Sequence, residues 1–315
     1  MERLLSLLFV CLTAGFDDKE GEIMHKFLRS VGFSMYQKKK DIHDLISQLV
    51  ERSDIHKTIL DEDGTQMCEI RIETAPGMGI AVFGELDEKG EFTSEYYYPY
   101  LRSIEPSSEA ECSIQRHTEK ETYAGLLDEY RVGISLIFYV QNAMEYKARL
   151  AERSPAVVES VSLSGLSVSG KVLLPLQKTE KQKQRARVAS KDRNNLLEAA
   201  KNGDEDAMET LTIEDIDLYS QVSRRLMKED IYTIIDSFFM PCGVECDQYS
   251  IIGEIMEINV EKNRITEEEV YNLTVDCNDM TFHVGINKRD LMGEPEVGRR
   301  FKGQIWMQGF VNFQA

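Results

Sequence analysis

Residues 301–313 read FKGQIWMQGFVNF. Phe301, Gly303, Ile305, Met307, Gly309, Val311 and Phe313 share one parity, while Lys302, Gln304 and Gln308 fall on the other, as does Trp306. A period of two describes a strand with one face turned to a core. Glycine at same-face positions permits tight coiling, so the pattern points to a strongly curved sheet or small barrel.

Working outward, strands are expected at Ile231–Phe239, Tyr249–Val260, Tyr271–Cys277 and Phe282–Ile286. The Val/Leu/Ser-rich stretches Ser160–Ser169 and Gly170–Leu176 read as two more. Between these groups lies a polar connection, Lys178 to Arg193, with seven basic residues against two acids. Helices are expected from about Asn194 to Met227, and Glu198 to Asp217 holds eight acids and one lysine. Thr212 and Asp215 have the spacing of a capping box.

The first half reads as α+β. Ile42, Leu45, Ile46, Leu49 and Val50 follow helical spacing, with Asp41 placed to cap them. Alternation then runs through Cys68, Ile70 and Ile72, through Ile80, Val82, Gly84 and Leu86, and through Phe92, Tyr96, Tyr98 and Tyr100. Cys112 with Ile114 opens another strand, and Val132, Ile134, Leu136 and Phe138 form the clearest one. Short turns such as Asp87–Gly90 favour antiparallel pairing. Gln141 to Arg153 reads as a closing helix, ended before Pro155. The fold class expected is α+β in two lobes. Residues 24–153 form an antiparallel sheet with helices, and residues 154–315 form a curved sheet or small β-barrel with a helical insertion at about 191–227. No heptad or exposed apolar stripe calls for a homodimer.

Residues 1–23 have two readings. Leu4–Leu12 after Arg3 resembles the apolar core of a secretory signal, with Thr13-Ala14-Gly15 as its cleavage site. Alternatively, Lys19-Glu20-Gly21-Glu22-Ile23 is encodable by a purine-rich ribosome-binding sequence, and translation starts at Met24. The apolar run is shorter than the roughly 20 residues of a membrane-spanning helix. The five cysteines beyond it (Cys68, Cys112, Cys242, Cys246 and Cys277) are an odd, scattered set. That is a poor disulfide framework, which favours the second reading and a cytoplasmic location over a secreted one.

The net charge of -18 disfavours a general nucleic-acid or anionic-membrane binder, since both reward a positive face. The sequence contains no phosphate-binding loop, HExxH, GxSxG or paired CxxC. Cys242 and Cys246 make a CxxxC with no second pair at ligand spacing, so neither metal nor cofactor is expected. Two groups of residues merit weighing. Tyr98, Tyr100, Arg102, His117, Glu129 and Arg131 are the inventory of an aromatic pocket with a carboxylate–histidine pair and an anion-holding arginine. The same residues also suit a strand that packs its tyrosines and solvates its charged edge. Lys181, Lys183, Arg185 and Arg187 can hold phosphates of RNA or DNA, with Trp306 and Phe310 stacking on bases. They equally suit a linker resting on the acidic helices that follow.

The stretch Tyr123-Ala124-Gly125, Asp128-Glu129-Tyr130-Arg131 and Ile137-Phe138-Tyr139-Val140-Gln141-Asn142, together with Leu211–Tyr219 and Cys246-Asp247-Gln248-Tyr249, resembles a domain-of-unknown-function family of Clostridia-type Firmicutes. The resemblance covers nearly the whole chain from Met24. It implies a bacterial, cytosolic protein and transfers no catalytic residues. Three functions follow as expectations. The first is a non-enzymatic binding or adaptor protein with a protein partner and no membrane. The second is an RNA- or DNA-associated factor using residues 178–193 and the barrel. The third is a small-molecule enzyme with its site near Tyr98, His117 and Arg131.

Overall fold

The computed structural model describes residues 25–51, 57–60, 64–116, 122–152, 155–176, 180–243 and 246–314. A 3-10 turn, Lys26–Val31, leads to helix α1 (Lys39–Val50). Strands β1 (Lys57–Leu60), β2 (Gln66–Ala75), β3 (Met78–Leu86) and β4 (Phe92–Leu101) follow. Next come β5 (Cys112–Arg116), β6 (Tyr123–Glu129), β7 (Ile134–Val140), α2 (Ala143–Ala151), β8 (Val158–Ser167) and β9 (Gly170–Leu173). Helices α3 (Glu180–Lys201), α4 (Glu205–Leu226) and α5 (Ile231–Ile234) are inserted there. The chain closes with β10 (Phe238–Pro241), β11 (Gln248–Lys262), β12 (Glu269–Cys277), β13 (Met280–Asn287), β14 (Leu291–Met292) and β15 (Arg300–Phe313).

Strands β1 to β4 form an antiparallel meander, and α1 adds Ile42 and Ile46 to its core. The larger sheet closes on itself. β11 pairs β12, β12 pairs β13, β13 pairs β8 in parallel, β8 pairs β15, and β15 returns to β11. The chain is thus α+β with two sheets, and the curvature read from residues 301–313 is that of a small barrel. The glycines of β15 also make room for phenylalanine. A Cβ on Gly309 would come within 2.4 Å of the buried Phe138 ring, and one on Gly125 of β6 within 2.1 Å. Close packing leaves no space for either.

β7 adds to β15 in parallel, and β6 and β5 continue outward from it. Strands on both sides of residues 153 and 154 therefore share the larger sheet. The meander lies against it through an aromatic layer. Tyr98 meets Tyr139 at 4.6 Å, Tyr139 meets Trp306 at 5.3 Å, and Phe27 stacks on Trp306 at 5.5 Å. Two buried amides pin the layers together. Gln141 Nε2 donates to Leu101 O and to Gln308 Oε1, and Gln308 Nε2 donates to Pro99 O, each at 2.8 Å. Buried polar groups of this kind need partners; these bonds join β4 to the barrel, while Gln141 Oε1 has no partner among the described residues.

Several local expectations are corrected. The connection from Lys178 to Arg193 is helical from Glu180 onward, because Lys, Gln, Arg and Ala are good helix formers and no Gly or Pro interrupts them. Thr212 lies inside α4 and donates back to Met208 O; the cap is Asp204, which accepts from Ala207 N after Gly203 breaks the chain at φ +92. Asp41 sits in the first turn of α1 rather than capping it, and Lys38 is the cap residue. Ile231–Phe239 is not one strand: Asp230 accepts from Tyr232 N and starts the turn α5 before β10 begins.

Candidate functional site

Among the described residues, those expected to form an acid–base pocket have largely separate tasks. Tyr98 is buried in the aromatic layer and its hydroxyl donates to Gln141 O. Burial pushes that phenol well above its ordinary range. Arg71, also engaged with Glu69, lies 5.3 Å from the Tyr100 ring, and Tyr100 is pushed up to about 12, mainly by burial. Arg102 stacks over Phe310 at 4.7 Å. His117 lies outside the described residues.

Glu129 and Arg131 do come together. Glu129 accepts from Ser108 Oγ, from Arg131 N, and from Arg131 Nε and Nη2. Burial works against its charge, but the bonds from Arg131 and Ser108 outweigh it and hold the carboxyl below the usual range. Arg131 donates onward to Asp279 O and Ser107 O. This node ties the 130–132 turn, the loop before β5 and the Asn278-Asp279 hairpin turn together. Its donors and acceptors are consumed by the protein.

Burial disfavours the thiolate at four cysteines, Cys68, Cys112, Cys242 and Cys277. Burial pushes Cys68 up to about 11, and Cys112 and Cys277 up to about 12, so little nucleophilic thiolate forms near neutrality. Trp306 is buried, and its Nε1 donates to Asp247 Oδ2 at 2.7 Å, so its ring is not presented for base stacking. Among the described residues no group of three or more His, Cys, Asp or Glu is placed to hold a metal ion.

His25, isolated in sequence, packs 4.9 Å from Trp306, and its buried Nδ1 has no hydrogen-bond partner among the described residues. Burial, aided by Lys26, lowers its pKa from 6.5 to about 4. The unfolded chain therefore binds a proton between these values that the folded chain refuses. Stability is fully present above pH 6.5 and falls as pH drops toward 4, by up to about 3 kcal/mol from this group. Urea unfolding at pH 7 and pH 4.5 is expected to show this loss. His25→Gln should remove most of it, and an unchanged pH slope in that variant would contradict the assignment.

The helical insertion presents a different kind of surface. Its two roots are clamped by one buried side chain, Arg300 of β15. The guanidinium donates to Leu174 O before α3, to Tyr232 O of α5 and to Ile235 O just after it. Helix α3 then lies along the barrel end. Lys201 pairs with Asp128 at 2.5 Å, and Ser190 Oγ donates to Asp279 Oδ2. Arg193 pairs with Asp215 at 2.7 Å and Glu214 at 3.5 Å, which joins α3 to α4. From Lys181 onward the basic run belongs to α3. Lys181 is exposed, while the side chains of Lys183, Arg185 and Arg187 lie outside the described residues.

Helix α4 is the outer tier. Ala207 and Leu211 are buried beneath it. Met208, Tyr219 and Leu226 recur on one side of the helix, and Ile213, Ile216 and Met227 are exposed beside them. Ile216 is 60% exposed and Tyr219 76% exposed. Glu205, Asp206, Glu209, Glu214, Asp215 and Asp217 crowd the first part of the helix, and Arg224 and Arg225 its end. An apolar stripe of this length, rimmed by charge, has the composition of a docking surface. The sequence carries its spacing but not its exposure, since an apolar stripe on a helix ordinarily faces the core.

No described helix is long and apolar enough to cross a membrane. A family model described as a domain of unknown function, E. rectale gene description (DUF3881), matches residues 28–309. No curated protein and no solved structure matches the chain.

Proposed function

Because the chain belongs to the DUF3881 family, whose description carries no activity, we propose from its surface alone that it is a non-enzymatic, cytosolic protein-binding factor that docks through the outer face of α4. One observation carries the reading: Ile213, Ile216 and Tyr219 stand in solvent on a helix whose return to the barrel, at Tyr232 and Ile235, is bonded to Arg300. Holding apolar side chains in water is unfavourable, at about 25 cal/mol for each Å² left uncovered, and a partner surface removes that cost. The tied-off Glu129–Arg131 node and the raised thiols supply no competing chemistry.

The test uses the protein purified natively from its source cells, with and without Ile216→Asp and Tyr219→Asp. Both positions are exposed, so the melting temperature should stay within about 2–3 °C of the parent. The wild type is expected to carry a stoichiometric protein companion, a second copy included, and the double variant to lose it by tenfold or more. A companion retained unchanged by the double variant would place docking elsewhere.

A further inference from the structure

We infer that the occupant of the α4 face is α4 of a second copy of this chain, packed antiparallel about a two-fold axis passing near Ile216. This rests on the docking reading above and names its partner. The argument is charge complementarity along a single helix. Glu205, Asp206 and Glu209 occupy the first turns of α4, whereas Arg224 and Arg225 occupy its last turn, with Lys228 just beyond. Rise per residue is about 1.5 Å, so Glu209 and Arg224 stand about 10 Å and 12 Å from Ile216 on opposite sides. An antiparallel copy centred on Ile216 sets Ile216 against itself, brings Ile213 level with Tyr219, and sets Glu209 beside Arg224. A parallel copy would set acid on acid and base on base.

The other helix of the hairpin carries the opposite balance of charge. Helix α3 carries seven basic residues against three acids, and α4 six acids against two basic residues. The two are joined by a short link at Gly203 and run antiparallel, with Arg193 of α3 meeting Glu214 and Asp215 of α4. Both halves of the complementary pattern thus reside on the same element, which suits an isologous contact. A different partner would have to reproduce the reversed pattern independently.

The experiment measures the mass of the full-length protein by sedimentation over a concentration series, with Glu209→Arg and Arg224→Glu made singly. Both side chains are exposed. Circular dichroism and melting temperature confirm that each variant is folded. The wild type is expected to dimerise. Each single variant faces like charge with like charge twice across the axis, and its dimer should weaken by about tenfold or more. Mixing the two variants restores both pairs at once, and a heterodimer of near wild-type affinity should form. Three outcomes overturn the inference: a wild type that stays monomeric up to about 100 µM, single variants that dimerise as the parent does, or a mixture that does not recover. If the wild type is monomeric but the Ile216→Asp, Tyr219→Asp double variant still sheds a companion from the native protein, the docking reading stands and the self-pairing falls. If no companion is shed either, both fall.

Discussion

Arg300→Met is expected to detach the helical insertion from the barrel. Arg300 is 4% exposed, and its donors go to Leu174 O, Tyr232 O and Ile235 O, at 2.6–3.1 Å. Burial pulls its pKa below the ordinary value, with Asp236 opposing, so the charge is held at some cost. A hydrogen bond to a charged donor contributes about 1.5–3 kcal/mol, and these bonds are not additive. Methionine fills much of the volume but leaves three carbonyls without their donor. A loss of about 3–5 kcal/mol is expected, in the range seen when one side of a buried charged network is removed. Hydrogen exchange locates the effect. Amides of α3, α4 and α5 should lose protection while β11 to β13 keep theirs, because only the insertion's roots are released. A uniform loss across the barrel, or none, would show that Arg300 is not the clamp.

Glu129→Ala is the second large effect. The carboxylate is 1% exposed and gathers Ser108 Oγ and three Arg131 donors. Its removal leaves Arg131, which is only 20% exposed, without a counter-charge. Breaking a largely buried ion pair from one side typically costs about 3–5 kcal/mol. Glu129→Gln keeps an acceptor for Ser108 and part of the arginine contact, so about 1–2 kcal/mol is expected there. The folded-state pKa is depressed, so the charged node contributes stability that is present above the unfolded carboxylate value of 4.5 and is lost as pH falls through the lower folded value. Denaturant midpoints for the three proteins at pH 7 and pH 3.5 check both the order and the sign. If Glu129→Ala matched the parent at pH 7, the node would not be structural, and its role would lie in chemistry after all.

Much of the architecture was legible because backbone periodicity is local. The parity of residues 301–313 names β15 and its core face, and the same-face glycines announce a curved strand; the barrel closure through β11 and β8 bears this out. The alternation at Ile134, Leu136 and Phe138 likewise names β7. Errors fell where a single capping or propensity choice decides an element. Asp204 and Asp230 start α4 and α5, and an uninterrupted run of helix formers turns the expected connection at 180–193 into α3.

The site was less legible. Tyr98, Glu129 and Arg131 carry the right chemical groups, but whether those groups are free depends on Gln141, Ser108 and Asp279, which are distant in sequence or come from other strands. Arg300 reads as one basic residue of a short cluster, and only the returning ends of the insertion make it a clamp.

By itself the sequence determined the α+β class, the curvature of the last strand, the helical nature of residues 205–226 and the opposed charges of the two inserted segments, since each follows from patterns a few residues long. Only the tertiary structure decided that α3 lies between α4 and the barrel, that Ile213, Ile216 and Tyr219 consequently face water, and that Tyr98, Glu129 and Arg131 are already bonded. The physical reason is that periodicity gives a helix an apolar side but not the identity of what covers it; burial is a property of the neighbours, and those come from the far ends of the chain.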